Sequence, residues 1–295
     1  FRASLAEVEG DRYGRLHHLP LGNTADSGQA MALALGDAIA GITKVVAQTT
    51  PHLMLLQGDR GEMLAGAIAA AHQNVPIVHM SGGDVSGSID DPIRNAISSF
   101  AHVHLTTCGQ STERLLSRGE SRYRVFEIGE PALDVIKSLV AVPPDELARD
   151  LGLDLSQPLA LATQHPVTTE AQDAGRQITE TLEALCALGL QTVFTYPNAD
   201  AGSAEIVRVL QSYAARPFLR IVPHLGSRKY LSLMKIAAVM VGNSSSGILE
   251  AASFKLPVVN IGTRQHDRTR ASNVIDVGYD REAIGNAITF VLHDT

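Results

Sequence analysis

Residues 239–261 read VMVGNSSSGILEAASFKLPVVNI: a short apolar run, a turn with three serines and a glycine, a helical stretch, and a second apolar run after a proline. Strand, turn, helix and strand in that order form the repeating unit of a parallel sheet. The turn has a second property. Ser244, Ser245 and Ser246 bring hydroxyl donors, Gly247 removes side-chain bulk, and a helix starting there aims free N–H groups and the positive end of its dipole at one point. Such a place holds an anion, most often a phosphate. A lone Asn-Ser-Ser is more simply a helix cap, so the rest of the chain has to decide.

The same plan recurs in both directions from this stretch. Upstream, LALATQHP (159–166), LQTVFTYPN (190–198) and FLRIVPHL (218–225) read as strands, separated by the helical patterns EAQDAGRQITETLEALCALG and GSAEIVRVLQSYAA. Earlier still, HLMLLQGD (52–59), PIVHMSGGD (76–84) and HVHLTTC (102–108) are strands separated by EMLAGAIAAAHQN and PIRNAISSFA. Short turns between them imply parallel strands with right-handed crossovers. Between the two series, residues 137–156 contain Pro143-Pro144 and no apolar strand, and read as a linker. The expectation is an α/β protein of two Rossmann-like doubly wound domains, 1–145 and 146–295. They face a cleft at the carboxyl ends of both sets of strands, where ligands of open sheets bind.

Composition agrees. A chain of 295 residues suits two domains of about 150. It is 45% hydrophobic but only 4% aromatic and lacks Trp, which fits layered α/β folds better than base-stacking nucleic-acid binders. A net charge of −7 makes it a poor partner for DNA or an anionic membrane, while local donors can still hold an anion. Cys108 and Cys186 belong to no ligand or redox spacing and read as reduced, as in a cytoplasmic protein. No apolar stretch is read as reaching the roughly 18 residues of a membrane span. The opening FRASLAEVEGD lacks the features of a signal peptide.

Polar groups collect at the ends of the strands. Asp59 and Arg60 follow HLMLLQG; Ser81, Gly82, Gly83 and Asp84 follow PIVHM; His165 follows LALATQ. Asn198 and Asp200 follow TVFTYP, His224 follows RIVP, Asn243–Ser246 follow AAVMVG, and Arg264 follows VVNIGT. Each has an ordinary explanation. Asp59-Arg60 can be a cap with a surface ion pair, Asp90-Asp91-Pro92 a helix start, His165 a hydrogen-bonded loop histidine, and Glu250 part of an exposed helix face. The glycines of SGGD suit a plain turn and a close approach to a ligand equally. Recurrence at strand ends raises the functional reading. No Walker, zincin, nucleophile-elbow or dinucleotide glycine motif is present, so the anion site expected is a serine-rich turn with a remote arginine, suited to a diphosphate.

Taken together, GDR (58–60), HMSGGDVSGSIDDPIRNAISSFAHVH (79–104), QHPVTT (164–169), YPNADAGS (196–203) and GNSSSGILEAASFKLPVVNIGTRQ (242–265) resemble the hydrolysing UDP-N-acetylglucosamine 2-epimerases of sialic-acid biosynthesis and their bacterial relatives. The resemblance runs from about residue 50 to 278 in the same order. It implies a glycosyltransferase-B-like fold and conversion of a UDP-N-acetylamino sugar and water to UDP and the 2-epimeric free sugar through a glucal intermediate, with no cofactor or metal. It implies that Ser244, Ser245, Arg60 and Arg264 hold the diphosphate, Glu250 the ribose, and His165 and Asn198 the substrate near the phosphates. His224 and Ser246 join the substrate-binding set, and Asp59, Asp90, Asp84 and His165 the catalytic one. Ser81 stands where the animal enzymes have a catalytic glutamate, and Asp84 is the nearest carboxylate that could substitute. Relatives with other residues at that place act on differently decorated UDP sugars, such as 2,4-diacetamido-trideoxyhexoses. The family begins earlier, with a strand that this chain is expected to lack. The expected partners are a UDP sugar and UDP, in a homodimer or homotetramer, with neither nucleic acid nor membrane. A non-hydrolysing epimerase, a nucleotide-sugar-binding protein without turnover and a glycosyltransferase of shared fold are the alternatives.

Overall fold

A computed structural model describes residues 5, 8–10, 14–21 and 26–293. It contains two compact units, one of residues 15–131 with 266–269 and a larger one built from residues 132–265 and 270–293.

The larger unit explains its own sequence. Its six strands are β5 (Leu159–Thr163), β6 (Gln191–Thr195), β7 (Leu219–Val222), β8 (Val239–Gly242), β9 (Val258–Ile261) and β10 (Val274–Val277). All pair in parallel, in the order β10-β9-β8-β5-β6-β7. Both faces are covered, so the strands are apolar throughout and their two-residue period sorts side chains between two cores. Ala160, Ala162, Val239, Val241, Val259 and Ile261 face helices α7 (Ala174–Leu188), α8 (Ser203–Ser212) and α11 (Arg281–His293). Leu159, Leu161, Met240 and Val258 face α6 (Pro144–Leu151) and α9 (Gly226–Ile236). The winding reverses at β5, which lies between β6 and β8.

Helix α6 corrects the linker reading of 137–156. Pro144 stands in its first turn, where a missing N–H costs nothing, and Gly152 ends it in the left-handed conformation (φ 64°). Leu147 is fully buried, and the backbone N–H of Val142 donates to Ser232 Oγ at 2.9 Å. The chain therefore passes between units at Pro131–Ala132, ahead of the expected boundary at residue 145, and α5 (Ala132–Lys137) joins the larger unit.

The smaller unit has four parallel strands in the order β1-β2-β3-β4: β1 (Met54–Gln57), β2 (Ile77–Met80), β3 (Val103–Thr106) and β4 (Val125–Glu127). Helices α1 (Gly28–Thr49), α2 (Gly61–His72), α3 (Asp90–Phe100) and α4 (Gly109–Ser117) accompany them. Leu56, Ile77, Ala67, Ala70, Val46 and Ile97 form its apolar core. At 22 residues, α1 is long and apolar enough to cross a membrane by length and composition, which the sequence reading missed because Asp37 and Lys44 divide the run. It packs along α2, burying Ala30, Ala38 and Val46.

His79, on β2, is fully buried, with Nδ1 2.9 Å from Ser98 Oγ and Nε2 2.9 Å from the Gly58 carbonyl oxygen. A carbonyl can only accept, so Nε2 carries the proton. Burial lowers the pKa of this imidazole from 6.5 to about 4.

Candidate active site

Where winding reverses, the loops after two neighbouring strands diverge and leave a crevice at their carboxyl ends. In the larger unit these are the loops after β5 and β8, and a cavity of about 390 Å³ lies there. Thr163 and His165 line it from β5, Thr195 and Tyr196 from β6, and Ser244, Ser246 and Glu250 from the turn after β8. The remaining wall is Pro223–Ser227, Tyr230 and Leu231, the junction of β7 with α9.

The serine turn is held from inside. Gly242 has φ 125°, and a Cβ there would sit 2.0 Å from the Thr163 carbonyl oxygen, so the turn can leave β8 only through glycine. Ser244 Oγ lies 2.7 Å from Ser246 Oγ, and Tyr230 Oη lies 2.9 Å from Ser246 Oγ. Burial raises the pKa of the Tyr230 phenol, which keeps its proton available for donation. Tyr230, Ser246 and Ser244 thus form a chain of linked hydroxyls along this wall.

His165 is oriented by its neighbours. The backbone N–H of Asn198 donates to His165 Nδ1 at 2.9 Å, so the neutral ring carries its proton on Nε2. The imidazole is thereby a donor at Nε2 rather than a base there. Arg264 Nη1 donates to the Asn243 carbonyl at 3.2 Å, which ties the loop after β9 to the serine turn.

Of the ligand-binding residues read from the sequence, His165, His224, Ser244, Ser246 and Glu250 line this one cavity. Glu250 is thus not simply on an exposed helix face. Ser245 is absent from the lining; it precedes α10 (Ser246–Leu249), and its carbonyl accepts from the N–H groups of Ile248 and Leu249. Asn198 stands behind His165. The β7–α9 wall, with Gly226, Ser227 and Tyr230, escaped sequence reading. Its signal was present in the PHLGSRKY stretch, a loop with glycine and serine that opens a helix.

In the smaller unit a second group of polar side chains forms around Arg94, the largest fully buried side chain described. Its Nη2 donates to Asp59 Oδ2, and its Nη1 donates to the Asp84 carbonyl (2.9 Å) and Asp91 Oδ1 (3.1 Å). Asp84 Oδ1 accepts from Thr107 Oγ1 at 2.7 Å and Ser111 Oγ at 2.6 Å, and Arg268 Nη2 lies 3.9 Å from its Oδ2. Asp90 is buried one helical turn before Arg94, and its N–H donates to Ser88 Oγ at 3.2 Å. Arg94 thus holds the carboxylates of Asp59 and Asp91 and the main-chain carbonyl of Asp84, while Asp90 shares its buried helix face. Arg60 instead points to Glu62, at 3.8 Å, with both side chains well exposed.

Arg94 was missed because arginine is rarely buried. Its spacing was informative all the same, since Asp90, Arg94, Ile97 and Ser98 share the buried face of α3. The glycines of SGGD also find their reason here. A Cβ on Gly83, at φ 79°, would sit 2.1 Å from the Ser111 carbonyl oxygen, so this glycine admits the chain's own backbone rather than a ligand. Among the described residues no group of three or more His, Cys, Asp or Glu stands placed to hold a metal ion.

A family model described as UDP-N-acetylglucosamine 2-epimerase matches residues 16–295. The UDP-N,N'-diacetylbacillosamine 2-epimerase (hydrolyzing) of Legionella pneumophila is 39% identical over 278 residues, 94% of this chain and 74% of that protein. The GDP/UDP-N,N'-diacetylbacillosamine 2-epimerase (hydrolyzing) of Campylobacter jejuni is 40% identical over 230 residues, 77% of this chain and 60% of that protein. Among solved structures, the Methanocaldococcus jannaschii UDP-GlcNAc 2-epimerase in complex with UDP-GlcNAc and UDP superposes with a TM-score of 0.82, covering 99% of this chain and 82% of that one. At 16% identity that likeness speaks for the glycosyltransferase-B-like fold alone.

Proposed function

The chain belongs to the UDP-N-acetylglucosamine 2-epimerase family, and from that premise we propose that it is a hydrolysing 2-epimerase of a UDP-N-acetylamino sugar. The observation that carries the reading is the cavity at the β5–β8 reversal, where Ser244, Ser246, His165 and Glu250 converge. Hydroxyls and an imidazole Nε2–H are neutral donors, suited to a diphosphate whose negative charge grows as it departs. Glu250 supplies an acceptor for ribose hydroxyls on the same wall.

The reaction proposed is elimination followed by hydration. A base takes the C2 proton, the C–H electron pair becomes the C1=C2 bond, and the C1–O bond breaks with its pair going to the β-phosphate of UDP. Water then adds its oxygen to C1 and a proton reaches C2 from the opposite face, giving the free 2-epimer. We assign the proton transfers to the carboxylates of Asp59, which Arg94 holds, Asp84, which accepts from Thr107 and Ser111, and Asp90, buried on the same helix face as Arg94. A C–H bond of this kind requires a base held within hydrogen-bond reach, and the hydrogen bonds to Asp59 and Asp84 fix those two carboxylates in place.

The substrate proposed is a UDP-2,4-diacetamido sugar. Two relatives at 39% and 40% identity are named for the diacetylbacillosamine nucleotide, and Ser81 stands in place of the animal glutamate. Incubation with this sugar and with UDP-GlcNAc in deuterated water, followed by NMR, tests both claims. Release of free UDP with deuterium at C2 supports the hydrolysing reaction, and the faster substrate identifies the sugar. Interconversion of nucleotide sugars without free UDP would replace it with the non-hydrolysing reaction.

A further inference from the structure

Asn243 is buried at the turn after β8, 1% exposed, and its side-chain amide is devoted to one neighbour. Oδ1 accepts from the backbone N–H of His165 at 2.7 Å, and Nδ2 donates to the His165 carbonyl at 2.9 Å. The backbone pairing of β5 with β8 ends at Thr163 and Gly242, two residues short of His165. Beyond that point the Asn243 side chain makes the two hydrogen bonds that a neighbouring strand would otherwise make. Its own carbonyl accepts from Arg264 Nη1 at 3.2 Å and from the buried Gln265 Nε2 at 2.9 Å.

Only a primary amide of this length offers a donor and an acceptor side by side to one residue's backbone. Aspartate would set an oxygen against the His165 carbonyl, and serine is too short to bridge both groups. We propose that Asn243 is a positioning residue. It locks the backbone of His165 while Asn198 locks the ring, so that Nε2–H stands at a fixed place relative to Ser244 and both donate to one departing diphosphate. The inference rests on the proposed function and extends it to a residue that need not touch the ligand.

The test compares Asn243→Asp in the wild-type and His165→Ala backgrounds, reading kcat for UDP release and the UDP dissociation constant. In the wild-type background kcat falls by about 10- to 100-fold, the usual consequence of a misplaced catalytic donor. In the His165→Ala background the same change alters kcat by less than about twofold, because the group being positioned is gone. Losses that multiply, or an unchanged kcat, would overturn the proposal. If Asn243→Asp does not fold, Asn243→Ala, which leaves room for a water, enters the same cycle. Amide exchange in the unaltered protein adds a readout free of any variant: the His165 N–H is protected, and exchange at the rate of an open loop would contradict the lock. Should the unaltered protein release no UDP from either sugar, the proposed function fails, while the His165 exchange rate still decides whether Asn243 holds this loop.

Discussion

Ser244 and Ser246 are neighbours in space because a single glycine, Gly242, lets the chain turn against Thr163, and the hydroxyl of Tyr230 completes their hydrogen-bond chain. Removing one donor to a charged group costs about 1.5–3 kcal/mol. Ser244→Ala is therefore expected to weaken UDP binding by roughly 10- to 100-fold and to leave uridine binding unchanged, as measured by calorimetry with both ligands. Equal losses for the two would place Ser244 away from the phosphates. At His79 the consequence is for stability. Burial lowers its pKa in the folded protein from 6.5 to about 4. Its contribution is fully present above pH 6.5 and is lost as the pH falls towards about 4, amounting in all to about 3 kcal/mol at ~1.4 kcal/mol per pH unit. Urea unfolding at pH 7 and pH 4.5 checks this. The unaltered protein should lose about 2–3 kcal/mol more than His79→Gln over that interval, and equal losses would show that His79 is not the group responsible. At this scale the sequence announced the serines through their place after an apolar run. It hid Arg94, whose importance comes from burial, and it placed Asn243 at a strand end without showing its partner 78 residues away along the chain.

The helices and strands were legible wherever burial imposes a period. Strands such as LALAT and VMVG are buried on both faces and so read as unbroken apolar runs, while α7 and α8 carry an apolar stripe. Helix α6 was not legible, because Pro143-Pro144 looks like a break when the second proline is in fact a helix start. Replacing Leu147, fully buried on that helix, tests the correction. Leu147→Ala should destabilise the protein by about 2–5 kcal/mol, the cost of a core truncation, whereas a residue in a linker would cost within about 0.5 kcal/mol. Denaturant titration separates the two. Gly242→Ala belongs here as well, since its Cβ would meet a carbonyl oxygen at 2.0 Å in a backbone conformation reserved for glycine. A loss of more than about 2 kcal/mol is expected, with the β5–β8 junction disturbed. A neutral outcome would mean that the serine turn does not depend on that approach.

At the scale of the whole chain, α/β alternation repeated across 295 residues made the fold class evident. The division into units was harder to read, because residues 132–145 are short in apolar strand signal and owe their place to Val142 and its contacts with α9. The functional reading joins three facts: a protein of net charge −7, a cavity lined by hydroxyls, imidazoles and Glu250, and a buried arginine that holds Asp59, Asp91 and the backbone of Asp84. Together they suit a reaction that releases an anion and moves a proton on carbon. The most direct measurement is an NMR time course of the protein with a UDP-2,4-diacetamido sugar in deuterated water. Free UDP appearing in step with the 2-epimeric sugar, deuterated at C2, is the result expected. Free UDP with the C2 proton retained, or epimerised sugar still attached to UDP, would contradict a hydrolysing 2-epimerase.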